Sequence, residues 1–407
     1  MTKGHYAMKL AVLDTIPIWY DGNQYFAQHV FYEWINKFSI YFKKLIIFAP
    51  VLQENRENIC ENIYKYQIDT KDIDIIWLPF HKNTWDYVRK IPFVFPKTLK
   101  LFKSSLPLFN IAWIIMPNFL NLLFYIFLKI YKKNVFIYIR SDIEGEIKNR
   151  EYHLLTKLLA ISCAKAFNHI IKLISKHNLT FVVGSNLYQK YSSSASSVFE
   201  IKDSLLHKEN IVSFTQIKNK SLNNKIKILY VGRLTEEKGI KYLIRALPIL
   251  HAYIKHPVEL IIVGFGRAEA KLKNEASRLH KNCKVRFLGF IPFSEQLLQI
   301  YSNADFFILP SLTEGIPKTL FEAMARGLPI IATRVGGIPD VIHHLKNGIL
   351  VEPRNPNALV LAIINLINNK KLRDRLIYNG LKESIKYTFT VQREKMMNVI
   401  RNHFHYL

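Results

Sequence analysis

The chain has 407 residues, 49% hydrophobic and 22% charged, a globular composition with room for two or three domains that excludes disordered and fibrous classes. Its 57 Lys and Arg against 31 Asp and Glu give a formal charge of +26, and 25 of the basic and 15 of the acidic side chains lie in residues 1–200, so the excess is spread over both halves. Such a surface suits polyanions; with no nucleic-acid-reading motif, a membrane surface is the expected partner and nucleic acid is not. Cys60, Cys163 and Cys283 are odd in number and far apart, which suits neither a disulfide framework nor a metal site. The start, MTKGHYAMKLAVLDT, has no apolar signal region, so the reducing cytoplasm is the expected compartment.

In chain order, Lys9–Leu13 reads as a buried strand ending in Asp14. A loop with Gly22 and a helical run from about Gln24 to Phe38 follow, with Phe26, Val30, Trp34 and Ile35 on one face. Lys44–Pro50 and Ile73–Leu78 are further strands. The region from Lys82 to Lys133 interleaves basic residues with Trp85, Tyr87, Phe93, Phe95, Phe102 and Phe109, and contains the apolar run Phe109–Tyr131. Spanning a membrane is the lesser expectation there, since Asn110, Pro117, Asn118 and Asn121 divide the run into a strand (Ile111–Met116) and a helix (Phe119–Tyr131). A basic, apolar patch resting on the inner leaflet and ordinary core packing are the other two. Asn134–Ile139 is a strand followed by Arg140-Ser141-Asp142, either cleft residues or an exposed turn ion pair. Tyr152–Lys172 reads as helix, Thr180–Val183 as strand, and Ser185–Tyr191 as the start of another helix.

The polar segment Lys208–Lys225 marks a domain boundary. Ile226–Val231 then opens a second set of elements and runs into GRLTEEKGI; Leu260–Val263 runs into Gly264-Phe265-Gly266, and Val285–Gly289 into Phe290-Ile291-Pro292. Two glycine-bearing strand ends in consecutive βα units are a moderate sign of phosphate-binding turns. Glu295–Tyr301 is helical. Phe306–Leu309 is a wholly apolar strand, Pro310–Pro317 a loop, Lys318–Arg326 a short helix stopped by Gly327, and Pro329–Thr333 a strand. In such a βαβ unit a ligand binds where the loop leaves the first strand. Glu314 and Glu322 flank the first backbone N–H groups of that helix, an arrangement for a diphosphate between two hydroxylated rings. A surface acid and a favourable helix-start acid would give the same spacing. Asn357–Ile367 and Lys371–Lys386 are helices, and Gln392–His405 is a last amphipathic one.

Glu-x7-Glu within EGIPKTLFEAMARGLPIIATRVGGIPDVI resembles the signature of family 4 glycosyltransferases, densely from about Lys225 to Ile364 and more weakly over the first 200 residues. The resemblance implies an α/β, GT-B fold: two Rossmann-like doubly wound domains facing a central cleft. An acceptor domain would span residues 1–205 and a nucleotide-sugar domain residues 206–390, with 391–407 a helix crossing back to the first. It implies a retaining, nucleotide-sugar-dependent enzyme. Glu314 would hold sugar hydroxyls and Glu322 the ribose; Gly264 and Gly266 would let backbone near the nucleotide; Gly289, Phe290 and Ile291 would line the base. Gly315, Ile316, Pro317 and Lys318 would contact the donor, and Thr319 and Leu320 would give amides to the phosphate. The first loop normally has a glycine pair; here only Gly22, followed by Asn23, is present, so a donor and acceptor loop and a plain βα turn both stand. The family's usual histidine near Arg140 is absent; Arg140 and Asp142 are the substitutes.

Breaking an anomeric C–O bond to a diphosphate places negative charge on the leaving group, which calls for preset cations and backbone donors. Arg233 and Lys238, five residues apart across a turn, supply them, so Arg233, Lys238 and Glu314 are the candidate catalytic residues. Outside this context, two solvated cations would be the ordinary reading. No divalent metal or other cofactor is expected, and the one Asp-x-Asp, Asp72-Ile73-Asp74, lies at the wrong end of its strand. The expected acceptor is a lipid-linked or other oligosaccharide in polysaccharide assembly, at the inner leaflet. A hydrolase or epimerase on the same fold, and a non-catalytic basic membrane-surface protein, are the alternatives.

Overall fold

The computed structural model describes residues 8–27, 31–53, 66–79, 84–148, 154–193, 197–202, 204–218, 222 and 225–404. The chain forms two units. The first comprises Met1–Val183, Leu187–Ile201 and Lys395–Leu407, and the second Gly184–Asn186 and Lys202–Glu394.

The first unit is built from β1 (Lys9–Leu13), β2 (Ile18–Tyr20), β3 (Tyr25–Ala27), α1 (Phe31–Phe38), β4 (Lys44–Gln53), β5 (Tyr66–Ile68), β6 (Ile73–Leu78), α2 (Thr84–Ser105), β7 (Ile111–Met116), α3 (Phe119–Ile130), β8 (Asn134–Ile139), α4 (Ile143–Lys148), α5 (Leu154–Lys176), β9 (Thr180–Val183), α6 (Ser185–Ser192, which begins in the second unit) and β10 (Val198–Ile201). Its sheet runs β10-β9-β8-β7-β1-β4-β2-β3-β5, with β6 also on β4. The strands from β10 to β4, and β6, are parallel, and β1, β4, β7 and β8 are largely apolar and buried because helices cover both faces of a crossover sheet. β4 is ten residues long: Leu45–Pro50 pairs with β6, while Val51–Gln53 pairs with β2.

Two expectations change here. The helical run from Gln24 begins instead with strand β3, antiparallel to β2 in the register Tyr20↔Tyr25; the helix starts at Phe31, and Val30 lies outside the described residues. Gly22 (φ +102°) and Asn23 therefore form the tip of a hairpin. Asp21 Oδ1 accepts from the backbone N–H of Asn23 and Gln24 at 2.9 and 2.7 Å, and Tyr20 Oη donates to the Gly22 carbonyl at 2.6 Å. Secondly, Phe102 and Phe109 do not belong to an exposed patch; both are 1% exposed, in an aromatic core with Phe48 and Phe124. The side chains of Trp85, Tyr87 and Phe93 lie outside the described residues. Phe109–Tyr131 is strand and then a 12-residue helix, short of the ~20 residues that cross a bilayer.

The second unit contains α7 (Phe214–Ile217), β11 (Ile226–Val231), α8 (Ile240–Ile254), β12 (Val258–Val263), α9 (Glu269–Ala276), β13 (Cys283–Phe287), α10 (Glu295–Ser302), β14 (Phe306–Leu309), α11 (Lys318–Ala325), β15 (Ile330–Thr333), β16 (Ile349–Val351), α12 (Pro356–Asn368) and α13 (Lys370–Lys386). Its sheet is all parallel in the order β13-β12-β11-β14-β15-β16. The last helix, α14 (Phe389–His403), is shared. Up to Glu394 it belongs to the second unit; beyond it, Lys395 Nζ donates to the Glu200 carbonyl at 2.9 Å and Arg401 lies over the Tyr41 ring.

Phe124 is fully buried, with ring centroids 4.3 Å from Phe102 and 5.5 Å from Phe48. Phe124→Ala is expected to cost about 3–5 kcal/mol, read as a lower urea midpoint for the first unit.

Candidate active site

In the second sheet the strand order reverses between β11 and β14, and an open parallel sheet leaves its binding crevice at the carboxyl ends of such a pair. The loops at this edge are tied together by main chain. Gly232 N donates to the Val263 carbonyl at 3.0 Å, Leu234 N to Phe265 at 2.9 Å, Gly264 N to Gly289 at 2.7 Å, and Leu312 N to Glu237 at 2.8 Å. A Cβ on Gly264 (φ +138°) would stand 1.9 Å from the Gly232 carbonyl oxygen. The close approach this glycine permits is therefore to the neighbouring loop of its own chain. Gly266 likewise faces the Leu234 carbonyl.

Around this edge Lys238 Nζ lies 2.6 Å from Glu314 Oε1, with both side chains largely buried. Ser311 Oγ donates to the same carboxylate oxygen at 2.8 Å, and the Ser311 carbonyl accepts from Thr333 Oγ1 at 2.5 Å. Arg233 is exposed. Its carbonyl accepts from Tyr230 Oη at 3.0 Å. Burial holds the Tyr230 phenol well above its usual range; the Glu314 charge pushes the same way and Arg233 opposes it. Arg233, Lys238 and Glu314, 81 residues apart at the extremes of the sequence, thus share one electrostatic neighbourhood.

α11 starts at Pro317 without a side-chain cap, so the amides at its positive end are not taken by the usual hydroxyl or carboxylate. Gly315 is exposed, while Ile316, Pro317, Lys318 and Thr319 are half-buried and Leu320 is core. One turn in, Glu322 is 9% exposed and accepts from Tyr301 Oη at 2.7 Å. Burial raises its carboxyl above the ordinary 4.5, with Tyr301 and the Lys318 charge pulling the other way. The Tyr301 partner, on α10, has no local sequence signal. At the rim, beyond β12 and β13, Phe265 and Phe290 are exposed and meet edge to face at 5.8 Å. Phe290 and Gly289 carry predicted roles; Phe265 was missed, although it lies inside the Gly-x-Gly turn.

The first unit gathers a different set at the carboxyl edge of its sheet. Asp142 is bound by Lys190 Nζ at 2.7 Å and by the backbone N–H of Glu144. Burial alone would raise this carboxyl, but these contacts hold it below the usual range, so Asp142 secures α4 and α6. Arg140 stands within electrostatic reach of Asp14, which is 4% exposed and accepts from the Ile16 N–H at 3.0 Å. Burial raises the Asp14 carboxyl; Tyr32 and Arg140 oppose that. Asp72 and Asp74 lie at the amino end of β6, with Asp74 2.9 Å from Lys44. Among the described residues no three His, Cys, Asp or Glu side chains gather as a metal site.

Residues 213–383 match the family described as glycosyl transferases group 1. The chain is 35% identical over 175 residues to an uncharacterized glycosyltransferase of Methanocaldococcus jannaschii, an alignment covering 43% of this chain and 44% of that protein. It is 38% identical over 152 residues to the amylovoran biosynthesis glycosyltransferase AmsK of Erwinia amylovora, covering 36% and 37%. These alignments span less than half the length of either relative. Among solved structures, Anabaena HepE in complex with UDP and glucose superposes with a TM-score of 0.64 at 15% identity, over 97% of this chain and 100% of that one.

Because the folded Glu322 carboxyl titrates above its unfolded value, the fold prefers it neutral; the cost of its charge is absent below pH 4.5 and complete above the folded pKa. Glu322→Gln removes that cost. Its stability relative to wild type is expected to rise as the pH is raised above 4.5, by about 1.4 kcal/mol per unit of raised pKa, measured by urea unfolding from about pH 4 upward.

Proposed function

We propose that this chain, a GT-B fold whose second unit matches the group 1 glycosyl transferases, moves a sugar from a nucleotide-sugar donor to an oligosaccharide or lipid-linked acceptor with retention of anomeric configuration. The observation that carries the reading is the 2.6 Å Lys238–Glu314 pair beside Arg233 and the uncapped start of α11, at the edge where β11 and β14 diverge.

In this reading the donor diphosphate lies against the amides at the start of α11, including that of Thr319 and that of Leu320, whose N–H also donates to the Pro317 carbonyl at 3.2 Å. Arg233, exposed and able to make a bidentate contact, closes on the β-phosphate. Lys238 enters as a point charge whose position Glu314 and Ser311 set beforehand, which is what leaving-group stabilisation requires. The second Glu314 oxygen is left for sugar hydroxyls. Glu322 accepts from the ribose while Tyr301 fixes its rotamer. Phe265 joins Phe290 in covering the base, and Gly264 and Gly266 keep the three loops close enough to do so. With two cations and a helix end at the phosphates, the step proceeds without a divalent metal. The acceptor hydroxyl attacks from the side the diphosphate leaves, and the departing phosphate takes its proton, so no enzyme nucleophile is needed.

The HepE neighbour was solved with UDP and glucose, which makes UDP-hexoses the first donors to test here. AmsK acts in amylovoran biosynthesis by its name, and assembly of a polysaccharide in the cytoplasm, at the inner leaflet, is the role we assign by likeness. Arg140, near Asp14, is the residue we assign to the acceptor. Gly22 and Asn23, at a hairpin tip, are retained only as residues of the acceptor unit.

Arg233→Ala and Glu322→Ala are each expected to reduce transfer tenfold or more, loss of one oriented charged contact being on the order of 2–4 kcal/mol, with the thermal transition retained. The check is sugar release from a panel of UDP- and GDP-sugars together with thermal shift by UDP and GDP. Near-normal turnover in either variant removes that residue from the site; no shift with any nucleotide removes the proposal.

A further inference from the structure

α5 is turned inside out relative to an ordinary surface helix. Among the described residues its buried face is narrow: Ala164, Asn168, Ile171, Ile174 and Ser175, the last donating to the Ile171 carbonyl. Its outward face carries Leu159 (68% exposed), Cys163, Ala166, Ile170 and Leu173 (45%), at steps of 4, 3, 4 and 3 residues that form a stripe nearly four turns long. Beside the stripe runs an edge of Lys165, His169, Lys172 and Lys176. Residues Thr156–Lys176 are long and apolar enough to cross a membrane, yet only 28% of the apolar window is buried.

α3 repeats the device. Phe119 (57% exposed), Leu123, Ile126 and Ile130 (70%) stand at steps of 4, 3 and 4, with Lys129 alongside. β7, β8 and β9 are consecutive parallel neighbours, so right-handed crossovers place α3 and α5 on the same face of the sheet. Tyr125 Oη accepts from Asn178 Nδ2 at 3.0 Å, joining α3 to the end of α5. Both helices anchor in one core, through Phe124 and Leu128 and through Ile171 and Ile174.

The charge around the two stripes is one-sided. Residues 87–141 contain nine Lys or Arg and no acid, and residues 152–199 five Lys and no acid. A second copy packed stripe to stripe would bring like charges together, whereas an anionic lipid surface accepts both features at once. A helix that keeps Asn168 and Ser175 in the protein core lies on a bilayer and does not cross it. We infer that the α3–α5 face of the first unit docks on anionic membrane, with the apolar stripes among the acyl chains and the lysines at the headgroups. The inference stands whether or not sugar transfer is the reaction.

Flotation of the full chain with vesicles of phosphatidylcholine alone or mixed with phosphatidylglycerol tests it. Wild type is expected to float with the mixed vesicles, less so at high salt, and weakly with the neutral ones. Leu159→Glu/Ile170→Glu should remain at the bottom, and Lys165→Ala/Lys176→Ala should partition less by about fivefold per lysine. Both should keep the wild-type thermal transition; should the first variant unfold, the second, at two exposed lysines, decides. Wild type failing to float, variants floating like wild type, or a dimer in light scattering that Leu159→Glu dissociates while no vesicle binding occurs would each overturn the proposal. Retained UDP shift in the variants separates loss of docking from failure of the donor site.

Discussion

The Lys238–Glu314 pair is the contact on which the candidate site depends. Lys238 leaves the turn after β11 and Glu314 the loop after β14, so the pair spans the point where the sheet's strand order reverses. A largely buried charge is tolerable only when matched and hydrogen-bonded, and here Ser311 supplies the additional bond to the carboxylate. The consequence is positional. Two loops that belong to different βα units are held in one register, and the Lys238 ammonium is held at a set point while Arg233 remains at the surface.

The two acids flanking α11 are not equivalent. Glu314 is matched by a cation, and Glu322 by a neutral phenol in a buried pocket. Burial, opposed by the Tyr301 hydrogen bond and the Lys318 charge, leaves Glu322 easier to protonate. One carboxylate is therefore tied to Lys238, and the other is a hydrogen-bond acceptor whose charge depends on pH. That division suits ligands gripped by hydroxyl groups at both ends of a charged centre.

The first unit puts its chemistry elsewhere. Its sheet edge holds Asp142 in a structural pair with Lys190 and buries Asp14 near Arg140, while apolar side chains that ordinarily fill a core face outward on α3 and α5. The lysines beside them give that surface a positive sign. An aromatic core of Phe48, Phe102, Phe109 and Phe124 sits beneath, so the outward stripes are not shortfalls of core material.

The parallel strands and the second unit's βα order were readable from the chain, because buried strands are continuous apolar runs. The sequence also brings Arg233, Lys238, Glu314 and Glu322 forward as candidates, and the structure sets Lys238 against Glu314 and Glu322 against Tyr301. The hairpin around Asp21-Gly22 was readable too and passed over: Asp-Gly between Ile18–Tyr20 and Tyr25–Ala27 is a turn signal of its own. Other features had no local trace. Tyr301 meets Glu322 across 21 residues, Lys238 meets Glu314 across 76, and Gly264 is required by a carbonyl 32 positions earlier. Sequence by itself determined the periodicities, and with them the strands and helices, while the GT-B class followed from the resemblance of its Glu-x7-Glu stretch. Which apolar faces turn inward and which charges find partners was decided by tertiary structure, since a side chain's burial and its counter-charge belong to the elements packed against it and not to its neighbours along the chain.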